Sequence, residues 1–315
     1  MRKLIALILA LSMAAALTAC GADGAGSAAA SVGASASAEE AIVYSVAKDV
    51  RTDTDQQEGK ETAEYRFELP KLIAARGDGT ELTEQEARTD AEKSALKTAD
   101  AFNAKFSDWA AQADTKQLFS DAWDYYQEQQ SALSQGADSN FVPFDAELTF
   151  TSWQTDHLVS IRGQYYTNTG GAHPNTVLLA WNFDLDSGTF LDPTILSDDG
   201  QEFADAVTQE IVRQADAAAA KQGMKPADAY WENYRDVAAD WPSYAVSFDG
   251  DGMTVSFSQY EMACYAAGPQ VFLIGYDLLA PYLSEYGRSL LNVQDLPASG
   301  SAEDTSAGSG TASGS

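Results

Sequence analysis

The sequence predicts an α+β fold, with antiparallel sheets packed against a long amphipathic N-terminal helix and a second, C-terminal helix pair. Three observations predict it. Runs with apolar residues at every second position occur near residue 45 and again through the middle of the chain. Other stretches repeat their apolar residues every three or four positions instead. Short connections rich in turn residues join the runs, which favours antiparallel neighbours.

The first strand is predicted over Ala41–Val50, with Ile42, Tyr44 and Val46 on one face. A polar turn over Asp53–Lys60 leads to a second strand over Thr62–Ile73, where Tyr65, Phe67 and Leu69 alternate with charge. Thr83 and Glu86 fit a capping box. Ala87, Ala91, Ala95, Ala99, Phe102, Phe106, Trp109 and Ala113 then trace one face of a helix, with a break near Asp114-Thr115 and a continuation to Gly136. Phe144–Trp153, Leu158–Tyr166 and Val177–Asp184 read as an antiparallel meander. Asp186-Ser187-Gly188 is a turn, and Phe190-Leu191 returns as a short strand. Ser197–Gly223 is predicted helical through Phe203, Val207, Ile211 and Ala215, followed by a short helix over Asp228–Ala238. Asp249-Gly-Asp-Gly between Tyr244–Phe248 and Met253–Phe257 is a hairpin signal. Val271–Ile274 is a last strand, and Tyr276–Tyr282 a last short helix.

The ends of the chain read differently. Met1-Arg2-Lys3 and the apolar run Leu4–Leu17 resemble an export signal too short to span a bilayer. Leu17-Thr-Ala-Cys20 has the form of a bacterial lipobox, so residues 1–19 are expected to be a lipoprotein signal peptide and Cys20 the lipidated residue. Two acyl chains on that residue give stable anchoring where one is marginal. Residues 20–40 are a Gly/Ala/Ser tether and 293–315 a low-complexity tail. Between them, 41–152 is predicted as an N-terminal α+β domain and 153–292 as a C-terminal α+β domain. The expected location is the outer face of the cytoplasmic membrane of a bacterium of Gram-positive type, with membrane contact through the lipid alone.

Asp and Glu number 47 against 19 Lys and Arg, a net charge of −28. A field of that sign repels nucleic acid and anionic membrane and attracts basic proteins. It also serves plain solubility. Cys20 and Cys264 are the two cysteines, so no disulfide is expected within the mature chain. Two histidines and one remaining cysteine are too few for a zinc motif, and Asp249-Gly-Asp-Gly lacks the later acidic ligands of a calcium loop. No Gly-x-Ser-x-Gly is present, and Cys264, within Ala-Cys-Tyr-Ala-Ala, reads as a small buried packer. No metal, cofactor or catalytic residue is therefore predicted. Two polar-aromatic loops are the binding candidates. One is Thr167–Asn175, with Gly170, Gly171, His173 and Asn175. The other is Phe257–Gly268, with Tyr260 and Tyr265. Tyrosines on loops held by a sheet combine large area, few rotatable bonds and a polar tip.

Gly170-Gly-Ala-His-Pro-Asn175, Asn182-Phe-Asp184 with Gly188, and Tyr260 through Gly268 resemble a domain of unknown function in the extracytoplasmic region of the sigma-V anti-sigma factor family, a lysozyme sensor. The stretch from about 41 to 150 resembles the companion domain before it, which also occurs in some peptidoglycan deacetylases. The resemblance implies a mixed α+β fold and a loop that binds and blocks lysozyme, with Tyr260 matching the inhibitory tyrosine. Ser258 and Cys264 stand where that loop carries prolines, and both changes are expected to loosen it. Only Met1–Lys3 precede the export signal, so a cytoplasmic sigma-binding segment is not expected. The expected partner is a basic protein such as lysozyme. A cell-wall glycan or muropeptide, stacked on Trp153, Trp181 or Tyr260, is the first alternative, and a hydrolase of cell-wall sugars the second.

Overall fold

A long hairpin sets the frame of the larger sheet. In the computed structural model, which describes residues 41–113, 115–137 and 140–293, β1 (Ile42–Gln57) and β2 (Lys60–Arg76) pair antiparallel from Ile42↔Arg76 to Gln57↔Lys60. The predicted turn over 53–60 is mostly strand. Only Glu58 and Gly59 turn, with φ of 52° and 77°. Two left-handed residues match the twist of the flanking strands. Residues 53–57 lie on an edge strand, where solvent receives their polar side chains. The Thr62 hydroxyl donates to the Asp55 carboxylate (2.5 Å) beside a register shift at Asp55/Gln56.

The sheet continues through β3 (Phe144–Gln154), β4 (Leu158–Asn168), β5 (Asn175–Asp184) and β6 (Thr189–Phe190) in sequential order. One step departs from the antiparallel expectation: β2 and β3 pair in parallel, Ala63↔Phe144 to Phe67↔Leu148. Parallel neighbours need a crossover, and α1 (Asp90–Gln112) with α2 (Thr115–Ser134) provides it. The line drawn between residues 152 and 153 falls inside β3, and all described residues belong to one compact unit.

α1 begins at a different capping box from the one predicted. Thr83 and Glu86 join side chains across a turn (3.0 Å), whereas Thr89 Oγ1 accepts from the Glu92 N–H (3.1 Å) and Glu92 accepts from the N–H groups of Thr89 (3.0 Å) and Arg88 (2.6 Å). Arg76 of β2 adds an ion pair to the same carboxylate at 2.7 Å, whereas at Glu86 it reaches only the backbone carbonyl (3.2 Å). From that start Ala95, Ala99, Phe102 and Phe106 face Phe67, Leu69, Leu148, Ile161 and Phe183 of the sheet. Each fully buried Phe or Leu contributes about 1.5–3 kcal/mol. Asn103 brackets Leu72, accepting from its N–H (2.8 Å) and donating to its carbonyl (3.0 Å).

A second core lies on a smaller antiparallel sheet of β7 (Ala245–Phe248), β8 (Gly252–Phe257) and β9 (Gln270–Gly275). α3 (Gly200–Lys221), capped by Asp199, buries Phe203, Val207, Ile211, Ala215 and Ala219 in the cluster that holds Val255, Phe272 and Ile274. The helix predicted over 228–238 is divided into α4 (Pro226–Ala229) and α5 (Tyr234–Ala239), and α6 (Tyr276–Leu279) and α7 (Glu285–Leu291) close the chain. The predicted signal peptide, Cys20, the tether up to residue 40 and the tail beyond Val293 lie outside the described residues. No helix among the described residues is long and apolar enough to cross a membrane.

The two sheets meet through buried polar groups. Ser160 on β4 accepts from the Phe248 N–H (2.7 Å) and donates to Asn182 Oδ1 (2.8 Å), and Asn182 Nδ2 donates to the Val246 carbonyl (2.8 Å). Arg162 reaches from β4 to Ser247 (3.1 Å), Asp249 (3.0 Å) and Thr254 (3.1 Å).

Backbone N–H groups of Thr89 and Arg88, and then Arg76, hold the Glu92 carboxyl at about 2, below the ordinary 4.5. A depressed carboxyl stabilises the fold above its unfolded value and loses that contribution as pH falls. The expected outcome is a melting temperature for Glu92→Gln that lies below wild type at pH 7. The gap narrows as pH falls from 4.5 towards 2. Thermal scans across that range check it.

Candidate functional site

Two loops meet at one end of β5. The first, residues 169–174, joins β4 to β5. Its path is set at Gly170, where φ is +70° and a Cβ would lie 2.6 Å from Tyr125 on α2. The Tyr125 hydroxyl donates to the Gly170 carbonyl at 3.2 Å. Glycine is the residue that takes this backbone angle with no side chain to collide. Gly171 and Ala172 are exposed, as is His173, and Asn175 is the exposed first residue of β5, opposite Thr167.

The second loop runs from Ser258 to the start of β9. It is fixed to β5 by side chains standing in for a neighbouring strand. Ser258 Oγ accepts from the Leu178 N–H (3.0 Å) and Gln259 Oε1 from the Thr176 N–H (3.0 Å). These amides are free because β6 covers only Phe183 and Asp184 of the β5 edge. The Ser258 N–H donates to the Glu261 carboxylate. The expected loosening at Ser258 is therefore corrected: its hydroxyl and its N–H, which proline lacks, each tie the loop down. Met262 and Ala263 turn into the smaller sheet's core, which leaves Cys264 exposed rather than buried as predicted.

These anchors bring His173, Tyr260 and Tyr265 together. The His173 ring stacks on Tyr265 with centroids 3.7 Å apart and planes 18° apart. A 3.0 Å hydrogen bond joins His173 Nε2 and the Tyr260 hydroxyl. Tyr260 is 50% exposed and sits at φ +69°, a left-handed conformation that is uncommon for a bulky residue and persists only where its surroundings fix it. Trp231 supplies part of that fixing. Its N–H donates to the Met262 carbonyl (3.0 Å) and its indole N–H to the Tyr260 carbonyl (3.1 Å), while its ring stays 41% exposed. The sequence reading placed Trp231 in a helix. Its position in the turn between α4 and α5 has no periodic signal. Behind the loop, Tyr244 packs on Phe257 (4.7 Å), and burial followed by the charge of Glu261 raises its pKa.

Gly170, Gly171 and Asn175 shape and end the first loop, whereas His173, Tyr260 and Tyr265 form one aromatic platform with Trp231 at its side. Such rings present area at low conformational cost and attract cationic side chains to their faces. His157 pairs with Asp186 across exposed turns (2.8 Å), and the Ser187 hydroxyl beside it bonds to Thr189. Among the described residues no group of three or more His, Cys, Asp or Glu side chains could hold a metal ion. Of the stacking candidates, Trp181 is engaged edge-on with Phe106 at 5.0 Å, and Trp153 is half-buried against the smaller sheet's core.

Comparison with known proteins places two family matches on this frame. Residues 56–176 match the model described as Deacetylase PdaC, and residues 194–277 match that of a Protein of unknown function (DUF3298). The first match includes the 170–175 loop and the second includes Tyr260 and Tyr265. An architecture of two domains, one of unknown function, fits the chain. No curated protein matches it. A crystal structure of a DUF3298 family member from Bacteroides fragilis NCTC 9343 is 14% identical and aligns over 81% of this chain and 98% of its own, with a TM-score of 0.53. A DUF3298 family protein from Pseudomonas aeruginosa PAO1 is 15% identical over 80% and 98%, with a TM-score of 0.45. At such identity the likeness to the Bacteroides protein is one of fold, and that fold spans both matched segments.

Gly170→Ala adds a methyl group at the Tyr125 ring and an unfavourable φ, so it is expected to cost about 1–3 kcal/mol in denaturant unfolding. Gly171→Ala, whose nearest neighbour to a new Cβ is the His173 carbonyl at 4.0 Å, is expected to stay near wild type, within about 0.5 kcal/mol.

Proposed function

We propose that the chain is an extracytoplasmic, non-catalytic binding protein, anchored through Cys20, whose platform of Tyr260, His173 and Tyr265 engages a basic protein of the lysozyme-like muramidase class. The observation that carries this reading is Tyr260 itself. It is a half-exposed tyrosine in a left-handed backbone conformation, held by a histidine on one side and a tryptophan on the other. A strained residue kept at a loop tip points to a role in recognition. Tyrosine and tryptophan are also the residue types that dominate interface energetics. The net charge of −28 favours a cationic partner and speeds its approach. The rings of the platform are committed to one another: His173 lies against Tyr265 and bonds to Tyr260, an arrangement that suits contact better than proton transfer.

The test is calorimetric titration of the chain from residue 20, with Cys20→Ser, against hen-type lysozyme at low and moderate salt. The expected result is micromolar or tighter binding that weakens with salt as the long-range attraction is screened. Tyr260→Ala is expected to lower the affinity by about thirtyfold, the size of an interface hot spot. Absence of binding at either salt, or binding that Tyr260→Ala leaves unchanged, would contradict the proposal.

A further inference from the structure

A second recessed surface lies away from the platform. The end of β3 and its turn, the β7–β8 turn, the start of α6, the β1 edge and the end of α7 enclose an open cleft of about 1080 Å³. That volume is slightly above the usual range of small-molecule sites, about 300–1,000 Å³. Trp153 and Tyr276 border it, with Asp156 and Asp251 on two separate turns, Asp277 in the first turn of α6 and Asn292 at the last helix end. Tyr276 is buried, and its hydroxyl is spent on the Asp249 carbonyl (2.8 Å). Trp153 is half-buried and its indole N–H has no hydrogen-bond partner among the described residues. The carboxylates of Asp156, Asp251 and Asp277 likewise have neither ion-pair nor hydrogen-bond partner there. They stand apart around the rim and form no metal-holding group.

An aromatic edge on one wall and carboxylates spaced around the others, beside Val46, Leu291 and Val293, define the ligand's chemistry. The carbon-bound hydrogens of a sugar ring pack on an indole, while hydroxyl and ammonium groups donate to carboxylates in strong, charge-assisted bonds. We infer that the cleft bordered by Trp153, Asp156, Asp251 and Asp277 is a binding site for a sugar oligomer bearing free amino groups. The site is independent of the Tyr260 platform, and either can fail without the other.

The test is titration of the same chain with tetraglucosamine, with its fully N-acetylated counterpart and with a pentalysine peptide, at about 0.1 M salt. Acetylation removes the ammonium groups and keeps the rings. The expected result is measurable binding of tetraglucosamine, about tenfold or more tighter than either control, and lost by about tenfold in Asp156→Asn/Asp277→Asn. The pair Asp100→Asn/Asp108→Asn on α1 makes the same change in net charge and is expected to leave binding at wild-type strength. Undetectable tetraglucosamine binding would overturn the inference. So would equal binding of the acetylated oligomer or of pentalysine, or equal losses in the two double variants. Tyr260→Ala is expected to leave tetraglucosamine binding unchanged, which separates this site from the platform.

Discussion

The fold depends on a few buried polar groups where the two sheets touch. Sheets normally pack through apolar faces, and a polar group there is tolerated only when fully bonded. Ser160 and Asn182 meet that condition by serving the backbone of β7, whose Phe248 N–H and Val246 carbonyl they satisfy. Both side chains are almost fully buried, at 1% and 4% exposure. Losing one partner leaves the others unsatisfied at about 1–3 kcal/mol each. The junction therefore fixes direction as well as contact, because a sheet displaced by one residue would break every bond in it. The Arg162 fork beside it adds contacts to β7, the hairpin turn and β8.

The platform inherits its geometry from this junction. β7 sits against β5, so β8 delivers Ser258 and Gln259 to the two open amides at the start of β5. The 169–174 loop leaves the same end of the sheet, and the two aromatic groups meet. Residues 87 positions apart in sequence, His173 and Tyr260, thereby come within hydrogen-bond distance. The anchors join the backbone of β5 to side chains of the second loop. The platform is thus built on a rigid edge while its rings remain open to solvent, as the proposed binding role requires.

Much of this was legible in the sequence, and the gaps have physical reasons. The apolar alternation of β2 and the three-four spacing of α1 and α3 reflect burial on one face, which is a local pattern. The length of β1 was not legible, since charged residues at an edge look the same in strand and turn. Nor was the parallel β2–β3 step, which is decided by two helices rather than by the strands. Thr89 and Glu92 surpass Thr83 and Glu86 as a cap because Arg76, on another element, pairs with the Glu92 carboxylate and only with the Glu86 carbonyl. In the site, His173, Tyr260 and Tyr265 were legible as polar-aromatic loop residues. Their contact was not, because it depends on the β5 edge being left open by a two-residue β6. Trp231 was missed for the same reason, since a bond from an indole to a distant carbonyl leaves no spacing to read.

The most direct measurement is hydrogen exchange at the Thr176 and Leu178 amides in wild type and in Ser160→Ala. If the junction holds β7 and β8 against β5, breaking it exposes these amides more often. Both should then exchange about fivefold to 150-fold faster, matching a loss of about 1–3 kcal/mol in local opening. Unchanged exchange at both amides, in a variant whose Phe248 amide does exchange faster, would contradict the account. It would mean that the second loop is held to β5 without help from the junction.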